Sequence, residues 1–222
     1  MEGSLYSTCD ISVVVPAFNE EKHIERCLRS LNSQENSGFT VTTVVVDDKS
    51  TDRTASLVEK YFPECLLVKK TRNSGLPASL NEGIQACSSQ YVVRVDADDF
   101  VDRKFLDLLY LTISTNPGVH AVSCDYYLVD ADGQRISRRN ASEAPIGCGI
   151  IFQRDVLVEL GLYDEDFLAR EEEELMIRFK NGGYKILHLP LPLYRYRQHG
   201  SSITKNHEVM SEYKKKLDDK HA

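Results

Sequence analysis

The chain has 222 residues, of which 41% are hydrophobic and 27% charged, and this composition is typical of a globular domain with a buried core. The formal net charge of −7 argues against a nucleic-acid partner, because there is no excess of lysine and arginine to neutralise phosphates. No apolar run reaches the roughly 18 residues of a membrane-spanning helix, so we expect at most a peripheral membrane association.

The first hundred residues alternate short β-branched runs with helical patterns, which is typical of βαβ units on a parallel sheet. The apolar run at 11–16 predicts a strand that is buried on both faces. The predicted elements that follow are a helix at 20–31, a strand at 41–48, a helix at 52–61, a strand at 65–68, a helix at 74–87 and a strand at 91–95.

The second half of the chain is less regular. The patterns predict a helix at 105–115, a strand at 121–129, a hairpin turn at 130–133 and a strand at 134–136. An apolar, glycine-containing segment at 146–152 follows, and then helices at 155–160 and 168–180 and strands at 184–187 and 193–199. Because no repeat or linker interrupts this pattern, we expect one domain over 1–222.

The six cysteines are spread over separate segments without a Cys-x-x-Cys pair, and no signal-peptide pattern occurs at 1–10. We therefore expect reduced thiols and a cytoplasmic protein.

Three predicted strands of the first half end in polar or acidic residues, at 16–20, at Asp47 and Asp48, and at 96–99. Taken alone, an acidic strand end such as Asp47 and Asp48 is better explained by a turn or a helix cap. The carboxyl ends of parallel strands, however, share one edge of the sheet, where open α/β folds bind ligands. The three ends together therefore indicate a binding site.

Asp96 and Asp98 stand two residues apart after a buried strand, so that both carboxylates can face one divalent cation. Hard oxygen ligands suit Mg²⁺ or Mn²⁺, and such sites usually complete their coordination with substrate phosphates. This spacing predicts a metal-dependent phosphate site.

Four segments resemble the family-2 glycosyltransferases of the GT-A fold, in the order and spacing of that family: ISVVVPAFNE at 11–20, VVVDDKSTDRT at 44–54, NSGLPASLNEGI at 73–84 and VDADDF at 95–100. The segments at 161–184 and 189–202 resemble its acceptor half. The resemblance implies a Rossmann-like, mostly parallel central sheet flanked by helices. It also implies a nucleotide-sugar half at about 1–100, an acceptor half at about 101–205 and a helical tail at 206–222.

The activity implied by the resemblance is inverting transfer of a sugar from a nucleotide-diphosphate sugar to an acceptor hydroxyl, with Mn²⁺ or Mg²⁺ as cofactor. The pattern resembles users of UDP-sugars most, although GDP- and TDP-sugars also occur in the family. A saccharide or lipid-linked saccharide is the implied acceptor, in the assembly of cell-surface polysaccharide or glycolipid.

The resemblance also implies roles for individual residues. The residues that would hold the nucleotide are Pro16, Ala17, Phe18, Asn19, Glu20, Asp48 at the base, Asn73, Gly75 and Asp96 near the ribose. Asp47 would brace the nucleotide loop. The candidate metal ligands are Asp98, Asp96 and His199, although a surface histidine explains His199 equally well.

One position departs from the family pattern. Leu80 stands where the family usually has an arginine, so the phosphate contact from that position is open. Arg195 and Arg197 are the candidates to replace it.

The catalytic base is predicted within the four consecutive glutamates at 171–174. The resemblance implies Glu172, since the family places its base as the aspartate of a Glu-Asp pair at a helix start. Independently, helical spacing puts Glu172 on one face with Leu168 and Leu175, where partial desolvation raises the pKa of a carboxyl. Glu171 is the alternative base.

The other two glutamates of this run are predicted to be structural. Glu173 and Glu174 are expected in a solvated first helical turn that the helix dipole favours. Arg178 is one turn after Glu174 and can pair with it.

Two alternatives to a glycosyltransferase remain open. A sugar nucleotidyltransferase shares the metal–phosphate chemistry, but it usually carries a glycine- and lysine-rich loop where this chain has 16–20. A non-catalytic nucleotide-binding module with the same fold is consistent with a glutamate at the base position and with Leu80.

Overall fold

The computed structural model describes residues 10–36, 38–198 and 207–221. These residues form nine β-strands and seven α-helices, in the order β1 (Ile11–Ala17), α1 (Ile24–Asn32), β2 (Val41–Asp47), α2 (Thr54–Tyr61), β3 (Leu66–Lys69), α3 (Leu76–Gln85), β4 (Tyr91–Arg94), β5 (Phe100–Val101), α4 (Phe105–Thr115), β6 (Ala121–Val129), β7 (Arg135–Arg139), β8 (Ile150–Gln153), α5 (Arg154–Glu159), α6 (Glu171–Asn181), β9 (Ile186–Arg197) and α7 (His207–Lys220). Within these ranges, no helix combines the length and the apolar character needed to cross a bilayer.

All the strands belong to one sheet with the order β3-β2-β1-β4-β8-β6-β9-β5, and β7 pairs with β6. The first four strands are parallel, as the βαβ pattern predicts. Beyond β4 the sheet is mixed, because β8 runs antiparallel to β4 and β6 whereas β9 runs parallel to β6. The predicted α/β fold is confirmed.

The predicted burial of the first strand is confirmed along its whole length, since all seven residues of β1 are buried. Its side chains alternate between two cores, as the period of a strand requires. Val13 packs in the core that contains α1, and Val14 in the core that contains α3. Gly83 allows α3 to approach the sheet closely, because a Cβ atom there would lie 2.4 Å from Val14 Cγ1.

Two predicted boundaries in the second half are wrong. The strands expected at 184–187 and 193–199 are one strand, β9, which stays paired with β6 through shifts of register next to Asp125. The helix expected at 168–180 begins only at Glu171, because Arg170 has a left-handed conformation with a φ of 61°. Leu168 therefore precedes the helix and is 47% exposed.

Candidate functional site

A cleft of about 370 Å³ opens at the carboxyl ends of β1 and β4, at the sheet edge that the sequence predicts; we call it the strand-end cleft. Five of the residues predicted to bind nucleotide or metal line it: Pro16, Phe18, Glu20, Asp96 and Asp98. The segments 145–148 and 168–172 also contribute to its wall, as do Tyr196 and Arg197 of β9 and Arg94 of β4.

Two other predicted nucleotide residues build this region without lining the cleft. Ala17 is buried in β1. Asn19 has a φ of 57°, a conformation in which asparagine is enriched. Its Oδ1 accepts the backbone N–H of Thr51 at 2.8 Å, and the backbone N–H of Glu20 donates to Thr54 Oγ1 at 2.8 Å. These bonds fix the loop after β1 against the residues that follow β2.

Asp48 anchors the loop that follows β3. Its buried carboxylate accepts the backbone N–H of Ser74 at 2.9 Å and that of Gly75 at 2.8 Å, and Lys70 Nζ lies 2.9 Å from Oδ1. Gly75 has a φ of 87°, which favours glycine because a side chain would be strained there. Asp48 thus braces the loop at 74–75.

Asp47 and Asn73 also lie outside the lining of the strand-end cleft. Asp47 is 4% exposed, and its Oδ2 accepts the backbone N–H of Ser50 at 3.3 Å. Its Oδ1 is buried and has no hydrogen-bond partner among the described residues. Asn73 is exposed on the loop between β3 and α3.

Arg94 links the two acidic parts of the site. It is the last residue of β4 and is 8% exposed. Its Nε and Nη2 donate to the two carboxylate oxygens of Asp96 at 2.7 and 3.1 Å, and its Nη1 donates to Glu171 at 2.9 Å. Arg94 is not among the residues predicted from the sequence, although a charged side chain that ends a buried apolar strand requires partners of opposite charge.

Glu172 lines both the strand-end cleft and a second cavity beside it. In contrast to Glu171, it forms no ion pair within the described parts of the chain. Burial raises the pKa of Glu172 to about 7; the charge of Glu171 acts in the same direction, and that of Arg94 opposes it. A carboxyl with this pKa, in contact with two cavities, is suited to accept a proton near neutral pH.

The helical face predicted for Glu172 is present in part: Glu172 lines the second cavity with Leu175 and Met176 of α6, and its pKa is raised, but Leu168 does not belong to that face. Leu168 lies outside α6, and the side chains that α6 buries completely or nearly so are those of Glu171, Glu174, Leu175 and Phe179. Part of the surroundings of Glu172 comes from the segment 145–148, since a Cβ atom on Gly147 would lie 2.9 Å from Glu172 Cβ.

The expectation that Glu174 is solvated is wrong. Its side chain is 0% exposed. The predicted pair with Arg178 is confirmed, since Arg178 Nε donates to both oxygens of Glu174 at 2.9 Å. Lys220 of α7 donates to Glu174 as well, at 2.7 Å. Glu174 is therefore buried because the C-terminal helix packs over it.

The residues at this edge fit a hard divalent cation. Asp96, Asp99 and Cys148 each place one potential ligand atom within 4.8 Å of the others. Burial, reinforced by neighbouring aspartates, raises the pKa values of Asp99 and Cys148 well above their usual ranges. Asp98 is not part of this group of three, but its side chain and that of Asp96 line the cleft, and carboxylate oxygens are the type of ligand that Mg²⁺ or Mn²⁺ prefers. His199, the third predicted ligand, lies outside the described residues.

Of the two arginines considered as replacements at the Leu80 position, only Arg197 reaches the cleft. Arg195 Nη2 donates to Asp102 at 3.1 Å, outside the cleft lining. Arg197 lines the cleft and donates through Nε to the backbone oxygen of Asp98 at 2.7 Å. Leu80 is 1% exposed and belongs to the apolar core.

The second cavity, which we call the apolar cavity, has a volume of about 710 Å³ and is enclosed by β6, β8, β9, α6 and α7. Its apolar wall includes Ile146, Ile150, Phe152, Leu175, Met176, Ile186 and Leu217. Segment 145–148 and Glu172 are common to this cavity and the strand-end cleft. The volume is within the usual range for small-molecule sites.

The family model described as "Glycosyl transferase family 2" matches residues 12–179. The chain belongs to this family. Membership favours a glycosyltransferase over a nucleotidyltransferase.

The chain resembles several bacterial glycosyltransferases. It is 34% identical over 100 residues to a poly(ribitol-phosphate) beta-glucosyltransferase of Bacillus spizizenii. This match covers 43% of the present chain and 16% of the relative. It is 23% identical over 242 aligned residues to the glycosyltransferase GlyG of Streptococcus pneumoniae, 94% of this chain and 80% of the relative. For the glycosyltransferase GlyA of the same species, the match covers only 18% of the relative. The chain thus spans less than a fifth of some relatives.

Solved structures show the same fold. The S. aureus TarS 1-349 complex with UDP-GlcNAc has a TM-score of 0.75 at 22% identity, covering 90% of this chain and 64% of TarS 1-349. The mannosyltransferase PcManGT from Pyrobaculum calidifontis, in complex with GDP-Man and Mn²⁺, has a TM-score of 0.71 at 24% identity, covering 88% of this chain and 59% of that one.

Proposed function

We propose that this domain is a cytoplasmic, metal-dependent, inverting glycosyltransferase that moves a sugar from a nucleotide-diphosphate sugar to an acceptor hydroxyl. A UDP-sugar is the proposed donor. A saccharide or lipid-linked saccharide of a cell-wall or surface polysaccharide is the proposed acceptor. The observation that carries this proposal is Glu172, a carboxyl with a pKa of about 7 that lines both the strand-end cleft and the apolar cavity.

The strand-end cleft is the proposed donor site. The structures of similar fold that contain UDP-GlcNAc, or GDP-Man with Mn²⁺, support this assignment. Asp98 and Asp96 would hold a divalent cation, which when bound neutralises the charge of the departing diphosphate. Arg197, in the same wall, places a further positive charge at the cleft.

The nucleoside is proposed to bind beside the loop after β1, with Asp48 at the base. An ionised carboxylate offers about four lone-pair positions, and Asp48 uses three of them for Ser74, Gly75 and Lys70. One position therefore remains for a donor group of the base. Gly75 would close over the nucleotide with its neighbour Asn73.

The apolar cavity is the proposed acceptor site, and Glu172 is the base between the two sites. Glu172 accepts the proton of the acceptor hydroxyl while the hydroxyl oxygen attacks the anomeric carbon. The bond from that carbon to the diphosphate breaks on the opposite side, so the configuration inverts. Arg94 pairs with Glu171 and fixes it in place, which leaves Glu172 as the carboxyl that accepts the proton.

Release of sugar to water tests this proposal without knowledge of the acceptor. UDP-glucose, UDP-GlcNAc, UDP-galactose and GDP-mannose are each incubated with the protein and Mn²⁺, and free sugar is measured. We expect slow release from one donor, abolished in Asp98→Ala and strongly reduced in Glu172→Gln. Glu143→Gln, at an exposed position, is the matched control and should retain the activity. Binding of UDP without any release would identify a non-catalytic module instead.

A further inference from the structure

A polar cluster interrupts the wall of the apolar cavity. Ser123 of β6 and His188 of β9 both line this cavity, and Ser123 Oγ lies 3.2 Å from His188 Nδ1. On the other side of the imidazole, Nε2 lies 3.0 Å from Oδ1 of Asp125, but among the described residues this nitrogen makes no hydrogen bond. Ser123 and His188 are register partners in the pairing of β6 with β9, so the contact is built into the sheet.

Asp125 lies at the far side of this cluster and is itself held by its neighbours. It is 2% exposed, and its charge is balanced by Arg138, which donates to Oδ2 through Nε at 3.1 Å and Nη2 at 2.6 Å. The backbone N–H of Ala141 donates to Oδ1 at 3.2 Å. Since Ser123 and Asp125 are two residues apart on one strand, their side chains share a face of the sheet. His188 lies between them.

Which partner donates between Ser123 Oγ and His188 Nδ1 depends on the imidazole tautomer. In either tautomer the serine hydroxyl, with one donor and two acceptor positions, keeps capacity for a second partner. A ligand hydroxyl can donate to this oxygen or replace it as the partner of Nδ1. The cluster therefore presents a fixed hydroxyl-binding group to the cavity.

Ligand cavities commonly combine apolar walls with a few fixed polar groups that determine specificity, and the apolar cavity has this composition. We infer that it binds an amphiphilic glycoside, whose apolar aglycone packs on the wall while one sugar hydroxyl is bound by Ser123 and His188. The inference rests on the proposed function, because it names the class of acceptor that Glu172 serves.

Ligand-observed NMR measures this binding without requiring catalysis. Octyl β-glucoside, octyl β-galactoside, octyl β-N-acetylglucosaminide and their monodeoxy analogues are titrated below their critical micelle concentrations, in the presence of UDP and Mn²⁺. We expect one parent glycoside to bind about 5- to 100-fold more tightly than one of its deoxy analogues, since a hydrogen bond to a buried group is lost. Ser123→Ala and His188→Gln should remove this difference.

Ser89→Ala is the matched control. Ser89 is also buried, and its hydroxyl donates to the backbone oxygen of Tyr91 at 2.7 Å, outside the cavity lining. This variant should keep the preference between parent and deoxy glycoside. Binding of none of the glycosides, or an unchanged preference in folded Ser123→Ala, would overturn the inference. Failure of the proposed function would appear separately, as the absence of sugar release from every donor.

Discussion

Replacing Glu172 with glutamine removes a charge and keeps the volume of the side chain. Burial and the charge of Glu171 raise the pKa of Glu172 from 4.5 to about 7 in the folded protein. This difference in pKa means that ionising Glu172 costs at most about 3 kcal/mol more in the folded protein than in the unfolded one. For a carboxyl whose folded pKa is raised, stability is lost as the pH rises from the unfolded pKa through the folded one. Glutamine does not ionise, so the variant does not lose this stability as the pH rises.

We therefore expect Glu172→Gln to lose activity and gain stability together. Transfer or sugar release should fall by roughly 10²–10⁴-fold, as for the loss of a general base, while UDP affinity stays close to that of the parent protein. The melting temperature of the variant should exceed that of the parent protein, and this difference should be larger at pH 8 than at pH 5.

Two measurements check this expectation: single-turnover kinetics with the donor identified by sugar release, and thermal unfolding at the two pH values. Glu143→Gln controls for loss of a charge at an exposed position. A Glu172→Gln variant that transfers at the parent rate would refute the role of Glu172 as base. A melting-temperature difference that is the same at both pH values would refute the reasoning about its pKa.

Three further variants test the surroundings of the base. Glu171→Gln removes the charge that helps to raise the pKa of Glu172, so the rising limb of the pH–rate profile should move to lower pH; an unchanged midpoint would contradict this. Gly147→Ala adds a Cβ atom 2.8 Å from Arg94 Nη1 and 2.9 Å from Glu172 Cβ, so the transfer rate should fall while UDP affinity is kept, and calorimetry with kinetics separates the two. Burial raises the pKa of Glu174, but hydrogen bonds from arginine and lysine outweigh it and leave the pKa below its usual value. Glu174→Gln should therefore cost about 2 kcal/mol at pH 7 and less as the pH falls through that pKa; equal losses in urea unfolding at pH 7 and pH 3.5 would argue against the ion pairs.

The first four strands and the acidic edge could be predicted because their signals are local. Each strand is a short apolar run, and the residues that follow it are brought together by parallel pairing. Arg94 and Glu171 were not recognised as partners because they are 77 residues apart. The burial of Glu174 was missed for a similar reason, since Lys220 stands 46 residues later on a separate helix.

The boundaries of the second half depend on tertiary structure in the same way. The left-handed residue Arg170 ends the run before α6, yet its sequence neighbours continue a helical pattern on either side. The segment between the two predicted strands contains Pro190 and Pro192, which favour a break, but pairing with β6 continues along β9. Pairing with β6 therefore outweighs the local preference of the two prolines for a break in the strand.

The most direct test of the central claim is calorimetric titration of UDP, GDP, TDP and CDP, with and without Mn²⁺, into the parent protein and Asp98→Ala. We expect one nucleoside diphosphate, UDP, to bind the parent tightly only with Mn²⁺, and the variant to lose the metal-dependent part. Binding of none of the four, or equal UDP affinity with and without Mn²⁺ in the parent, would contradict a metal-dependent nucleotide-sugar site at the strand-end cleft.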